Sequence, residues 1–391
     1  VATGFLRILP SAILLVRAGA AMAQAQGTPP PPPSVQLPVP VMAGPLAFSP
    51  APPSVSLGGL GTWYVDGAAS GLTLLQNNAD SGDRGAIADL GNAQIFVQKT
   101  DGLVRAYVQL GGYALPALGA PYAHAEDASA ATGKLFGPVP QAFIKIAPSE
   151  AFSVQAGKLP TLIGDEYTFT FENIDIARGL LWNQEPAVSR GVQVNLVAGA
   201  LAFSLSLNDG FYAGRYSWLS GSAGWTITAA DVLVAAGGAN TRATARNDAA
   251  TPRDQNNSGI LNLIYTHTKG PLMLSPYLQY SQVPRQTAIG IAHAASLRGA
   301  AVLASYALTP AFTLAGRLEY EAASGRTDLL YGPGSRAGSA TVSPTYTLGH
   351  WFIRGDLAAV GIGHMGQDEG FGTAGRERWQ LRMLLEGGYL F

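Results

Sequence analysis

Cysteine is absent from the 391 residues, which excludes disulfides and thiolate metal ligands. Charge is scarce as well. Asp, Glu, Lys and Arg make up 13% of the chain, about half the share usual in soluble globular proteins; with 48 glycines this is a low-charge, turn-rich composition. The formal net charge of −1 gives no polyanion-binding signature, so nucleic acid is excluded as a partner. No apolar run reaches the roughly 18 residues of a helical membrane span. A membrane protein without such a span has to be a closed barrel, because only helices and closed barrels satisfy every backbone group in lipid. His124, His267, His293, His350 and His364 show no metal-ligand spacing, and no Gly-x-Ser-x-Gly elbow is present. Neither a metal, nor a cofactor, nor an enzymatic activity is expected.

What is present begins with a basic residue, Arg7, an apolar run over 8–16 and the small-residue pattern Ala23-Gln24-Ala25. These predict a secretory signal peptide over 1–25. Proline dominates 26–56, including the run 29–33, so that stretch reads as an extended polyproline linker. From 57 to 391 the pattern changes to segments of about 8–13 residues in which one parity is apolar and the other polar, the strand signal. In 311–321, for example, Phe312, Leu314, Gly316, Leu318 and Tyr320 alternate with Thr313, Ala315, Arg317, Glu319 and Glu321.

Sixteen strands are predicted, at 57–66, 91–99, 103–113, 139–147, 152–158, 189–197, 201–208, 216–228, 232–239, 259–267, 272–283, 295–306, 311–321, 340–348, 351–361 and 378–391. Short turns such as 100–102 and 148–151 alternate with long connections at 67–90, 114–138, 159–188, 240–258, 322–339 and 362–377. An even strand count with short turns at one end and long loops at the other is the transmembrane antiparallel β-barrel arrangement. A solenoid would show a fixed internal repeat, and none is found. Sixteen strands leave an aqueous channel, whereas eight would be filled by side chains.

The longest connection, 159–188, carries Asp165, Glu166, Glu172 and Asp175 among many aromatic and aliphatic residues, the composition of a packed segment. It reads as a loop folded into the barrel mouth. An outward Arg near the bilayer midplane costs about 2–4 kcal/mol, so Arg105, Lys145, Arg317, Arg354 and Arg382 are expected to face the lumen. With Arg190 they form the candidate basic wall, and the four acids form the opposing side of a constriction across which a transverse field would set ion selectivity. Inward Glu319, Asp356 and Glu386 neutralise part of that wall, which leaves the sign of selectivity open. The spelling Gly361-Ile-Gly363-His364-Met-Gly366 matches a dinucleotide fingerprint, but Gly-rich sequence follows in place of a helix. The Asn77–Asp83 stretch lacks the closing Glu of a calcium loop.

Several stretches carry a resemblance: Gly157-Lys158-Leu159-Pro160-Thr161, the run Ala177-Arg178-Gly179-Leu180-Leu181-Trp182-Asn183-Gln184-Glu185-Pro186, Arg190-Gly191-Val192, and the terminal Tyr389-Leu390-Phe391. Together they resemble the OmpL-like outer-membrane β-barrel porins of Gram-negative bacteria. The resemblance implies residence in outer-membrane lipid, passive diffusion of small hydrophilic solutes, a third long loop serving as constriction, and a homotrimer. It also implies that Phe391 is the signal read by the barrel-assembly machinery. A structural or adhesive barrel with a closed lumen and partner-binding loops is the alternative.

Overall fold

The computed structural model describes residues 37–130 and 135–391; the expected signal peptide over 1–25 lies outside them, as does the linker up to 36. The chain forms β1 (Ser54–Ser56), β2 (Thr62–Gln76), β3 (Ala86–Lys99), β4 (Val104–Tyr113), β5 (Gln141–Ile146), β6 (Phe152–Pro160), β7 (Val188–Ala198), β8 (Leu201–Asn208), β9 (Trp218–Thr226), β10 (Asp231–Asn240), β11 (Gly259–Lys269), β12 (Leu272–Val283), β13 (Ala295–Thr309), β14 (Phe312–Gly325), β15 (Arg336–Leu348), β16 (Trp351–Gly363) and β17 (Trp379–Leu390). Sixteen of these, β2 to β17, pair antiparallel in sequence order. The ring closes where Arg382–Leu390 of β17 meets Gln76–Ala68 of β2. Closure leaves no unpaired edge, which is what lets strands stand in lipid. The short β1 lies beside the start of β2, with Ser54 opposite Tyr64.

Period-two alternation sets the two faces of the wall. In β14, Leu314, Leu318 and Tyr320 are exposed while Arg317, Glu319 and Glu321 between them are buried. The outward face is apolar around the ring, as lipid requires, and it ends in two aromatic belts. Trp225, Tyr306, Tyr346 and Trp351 are exposed toward the short-turn end, and Tyr280, Tyr320 and Trp379 toward the long-loop end.

Two expectations are corrected. The first strand is not 57–66: 58–60 is a single 3-10 turn, and the strand runs over Thr62–Gln76. Its outward positions Gly67, Ala69, Gly71 and Thr73 are too small to show an apolar parity. The pairing with β3 also shifts by one residue at Ser70/Gly71, where Gly91 is extra; such a bulge inverts the parity of everything beyond it, so the start of β3 was hidden too. The first long connection therefore shrinks from 67–90 to 77–85.

The second correction concerns the described part of the proline-rich stretch, which is no solvated spacer. Leu46 is buried, and Phe48 meets Phe96 and Phe171 edge-on at 5.5 and 5.9 Å. The amides of Ala43 and Gly44 donate to the Glu172 carbonyl at 2.8 and 3.0 Å, and Gln98 Nε2 donates to the Val39 carbonyl at 2.5 Å. Proline removes backbone donors that would need partners, and Val39, Met42, Leu46 and Phe48 supply the apolar surface that packs.

Candidate pore constriction

Between β6 and β7 the segment 161–187 has almost no exposed side chains. Phe169, Phe171, Ile176, Leu180 and Leu181 are all fully buried. Phe169 stacks on Phe171 at 6.0 Å, and Phe171 meets Phe96 of β3 at 5.5 Å. A short 3-10 turn over Thr170–Glu172 is closed by the Glu172 carboxyl group, whose Oε2 accepts from the Phe169 amide at 3.0 Å. The apolar residues thus anchor the segment, and its backbone amides and acids are turned toward one part of the wall.

That part is the polar face of β14 to β17. Arg317 Nη1 lies 2.5 Å from Glu166 Oε1 and 3.3 Å from Asp175 Oδ2, and its Nε lies 3.1 Å from Glu319 Oε2. Arg317 also donates to the Ala177 carbonyl at 3.0 Å. Asp356 Oδ2 accepts from the amides of Ile176 and Ala177 at 2.9 and 2.8 Å. The Ser343 hydroxyl lies between two carboxyl groups, 2.5 Å from Asp175 Oδ1 and 2.7 Å from Asp356 Oδ1, and its single hydrogen is shared between them. Glu319 receives the amides of Leu180 and Leu181 at 2.9 and 3.2 Å. Arg354 donates through Nε and Nη2 to Glu386 at 2.9 and 2.7 Å, and through Nη1 to the Asn173 carbonyl at 3.1 Å. Glu386 Oε1 accepts in turn from Thr170 at 2.8 Å and Ser70 at 2.7 Å. Buried ions without such partners would be strongly destabilising; here each arginine meets carboxylates and carbonyls directly.

Of the ten expected constriction residues, Glu166, Asp175, Arg317 and Arg354 belong to this network. Glu172 sits at its edge, its carbonyl bound to the N-terminal segment. Asp165 turns to the other side and accepts from Ser275 at 2.6 Å. Arg382 serves a different loop, donating to the carbonyls of Ala117 and Ala120 at 2.5 and 2.7 Å. Arg105 pairs with Glu150 near the short-turn end, in register with Lys145. Arg190 stands on the outward parity of β7 with Val192, Val194 and Leu196; it binds Asp209 at 2.7 Å and lies 4.0 Å from the Tyr212 ring centroid. Its placement above the lipid-facing band is the one that strand parity already contained.

Two groups that stand within the resembling run 177–186, but to which the sequence assigns no role, also take part. Arg178 is fully buried, donates to the Thr168 carbonyl at 2.8 Å and stacks 4.7 Å from the Trp182 ring. The Glu185 carboxylate accepts from the Tyr277 hydroxyl of β12. Nothing in a loop sequence distinguishes such groups from solvated ones. Burial pushes the Glu172 carboxyl up to about 8, against the Phe169 amide and the Arg178 charge, which hold it down. Burial likewise raises Asp165 to about 6, opposed by the Ser275 hydroxyl. The opposed charges therefore do not face one another across open water; they are in contact, and much of their field is cancelled where they meet. Among the described residues no group of three or more His, Asp or Glu side chains stands in metal-binding geometry.

A sequence model of the family described as "Putative beta-barrel porin-2, OmpL-like" matches residues 64–391. No curated protein matches the chain. Among solved structures, an outer membrane channel of Acinetobacter baumannii, DcaP, superposes with a TM-score of 0.58 at 10% identity, over 84% of this chain and 97% of that one. An anion-selective porin from Comamonas acidovorans gives 0.57 at 12% identity over 84% and 99%. OmpF of Salmonella typhi gives 0.56 at 12% identity over 84% and 98%. At these identities the likeness is one of fold.

Proposed function

The chain belongs to the OmpL-like β-barrel porin family, and from that premise we propose that the segment 161–187, backed by residues 37–48, is the constriction of its channel. The protein is a porin of the bacterial outer membrane, a channel for passive diffusion of small hydrophilic solutes, and we read no catalytic role into it. The observation that carries the constriction is a set of hydrogen bonds between the backbone of 173–181 and the buried polar face of the wall: Arg354 and Arg317 donate to its carbonyls, and Asp356 and Glu319 accept from its amides. Side chains on that face point away from lipid, so a segment bound to them narrows the lumen. Deleting Thr161–Trp182 should enlarge single-channel conductance in a planar bilayer. Unchanged conductance would remove the constriction.

Burial in the segment also favours a second reading, a closed structural or adhesive barrel. Liposome swelling with small sugars separates the two, since a closed barrel gives no swelling. We further propose that Phe391, whose amide and carbonyl pair with Gly67 at 3.0 and 3.2 Å, is read by the barrel-assembly machinery, and that the barrel forms a homotrimer. Removing Phe391 should lower the yield of heat-modifiable protein in outer membranes, and cross-linking should capture three copies.

A further inference from the structure

The two halves of the inner wall differ in kind. From β6 to β13 the inward-facing positions contain no charged side chain, for eight successive strands. All the buried arginines of the wall, Arg317, Arg354 and Arg382, lie on β14, β16 and β17, and segment 161–187 and its neighbouring loop pack against them. On β6 to β9 the inward residues are instead hydroxyls and amides bound to one another. Gln193 donates to Asn195 at 2.7 Å, Ser204 to Asn195 at 2.8 Å, and Asn208 to Ser206 and Ser220 at 3.0 Å each. Asn195, Ser204 and Ser222 are half-buried, whereas Arg317, Glu319, Arg354, Asp356, Arg382 and Glu386 are buried. Open space in the lumen therefore adjoins the neutral wall.

We propose that the passage runs between segment 161–187 and the β6–β9 wall, and that it favours uncharged polyhydroxylated solutes, sugars and polyols, over ions of either sign. This rests on the constriction reading above. Serine hydroxyls and Asn or Gln amides each donate and accept, so they replace a sugar's water hydrogen bonds in any orientation. They offer no fixed charge to replace an ion's hydration or to repel its opposite, and channel ion selectivity comes from such charge. The buried charges of β14 to β17 do not supply it, because Arg317 and Arg354 are held by carboxylates and by the segment, and Arg382 by the carbonyls of Ala117 and Ala120.

The test uses the full chain in proteoliposomes and planar bilayers. Influx of a neutral hexose should exceed that of its size-matched amino-sugar cation and sugar-acid anion, and the reversal potential in a potassium chloride gradient should lie near zero. Ser204→Asp and Ser222→Asp, checked for heat-modifiable folding, should each shift the potassium-to-chloride permeability ratio toward potassium by about fivefold, the factor a charge pair about 4 Å apart in water yields. Strong wild-type selectivity for either ion, or Asp variants with the wild-type ratio, would overturn the neutral passage while leaving a porin. Folded protein with neither conductance steps nor swelling would overturn the channel itself.

Discussion

Replacing Arg317 with Met removes the one cation that meets Glu166, Asp175 and Glu319 together, along with its bond to the Ala177 carbonyl. Both partners of the closest pair are almost completely buried, Arg317 side chain at 0% and Glu166 at 5% exposure. Breaking a buried pair by removing one partner costs about 3–5 kcal/mol, because a buried charge is left uncompensated. The sixteen strand pairings do not depend on this side chain, so the loss should fall on the docking of segment 161–187 and leave the barrel closed. Single-channel recording should show larger and noisier steps, and limited proteolysis should cut within 161–187 while heat-modifiable migration is unchanged. Combining Arg317→Met with Glu166→Gln, Asp175→Asn and Glu319→Gln removes the stranded charges and should restore much of the quiet wild-type trace, since neutral replacement of a whole buried ion group is often tolerated. If Arg317→Met alone conducts like the wild type and exposes no new cleavage site, the ion network is not what holds the segment.

The N-terminal contact can be tested at Gly44, where an added Cβ would stand 2.1 Å from the Asn173 carbonyl oxygen. Gly44→Val should expel residues 37–48 and raise conductance, and a conductance equal to wild type would show that these residues do not narrow the channel. With its carboxyl raised from 4.5 to about 8, Glu172 is neutral in the docked segment; its contribution is complete below about 4.5 and is lost as pH rises through 8. Conductance noise should therefore grow between pH 6 and pH 9, and a profile for Glu172→Gln that superimposes on wild type would rule Glu172 out as the cause. On the lipid face, Leu318→Arg should destabilise the barrel by about 2–4 kcal/mol in denaturant unfolding from lipid vesicles, though the native neighbour Arg317 is accommodated; an unchanged midpoint would contradict the parity of β14.

The residue order by itself determined the barrel. Alternation is a local property, so strands such as 201–208 and 272–283 agree with the structure to the residue, and the cost of charge in lipid turned Arg317, Arg354 and Arg382 inward. That cost misplaced Arg190, which strand parity puts on the outer face with Val192 and Val194. Local reading failed where small residues and a bulge blurred the alternation, at Thr62–Gln76 and Ala86–Lys99. What only the tertiary structure decided is which groups meet inside. Glu166 and Arg317 are 151 residues apart, and they come together because closure of β17 on β2 bends the wall into a ring around the segment. The same closure makes a lumen in which a proline-rich stretch, reading as a solvated spacer by composition, finds Phe96, Phe171 and the Glu172 carbonyl. Which half of the wall stays free and which is covered follows from that packing, and no periodicity along the chain encodes it.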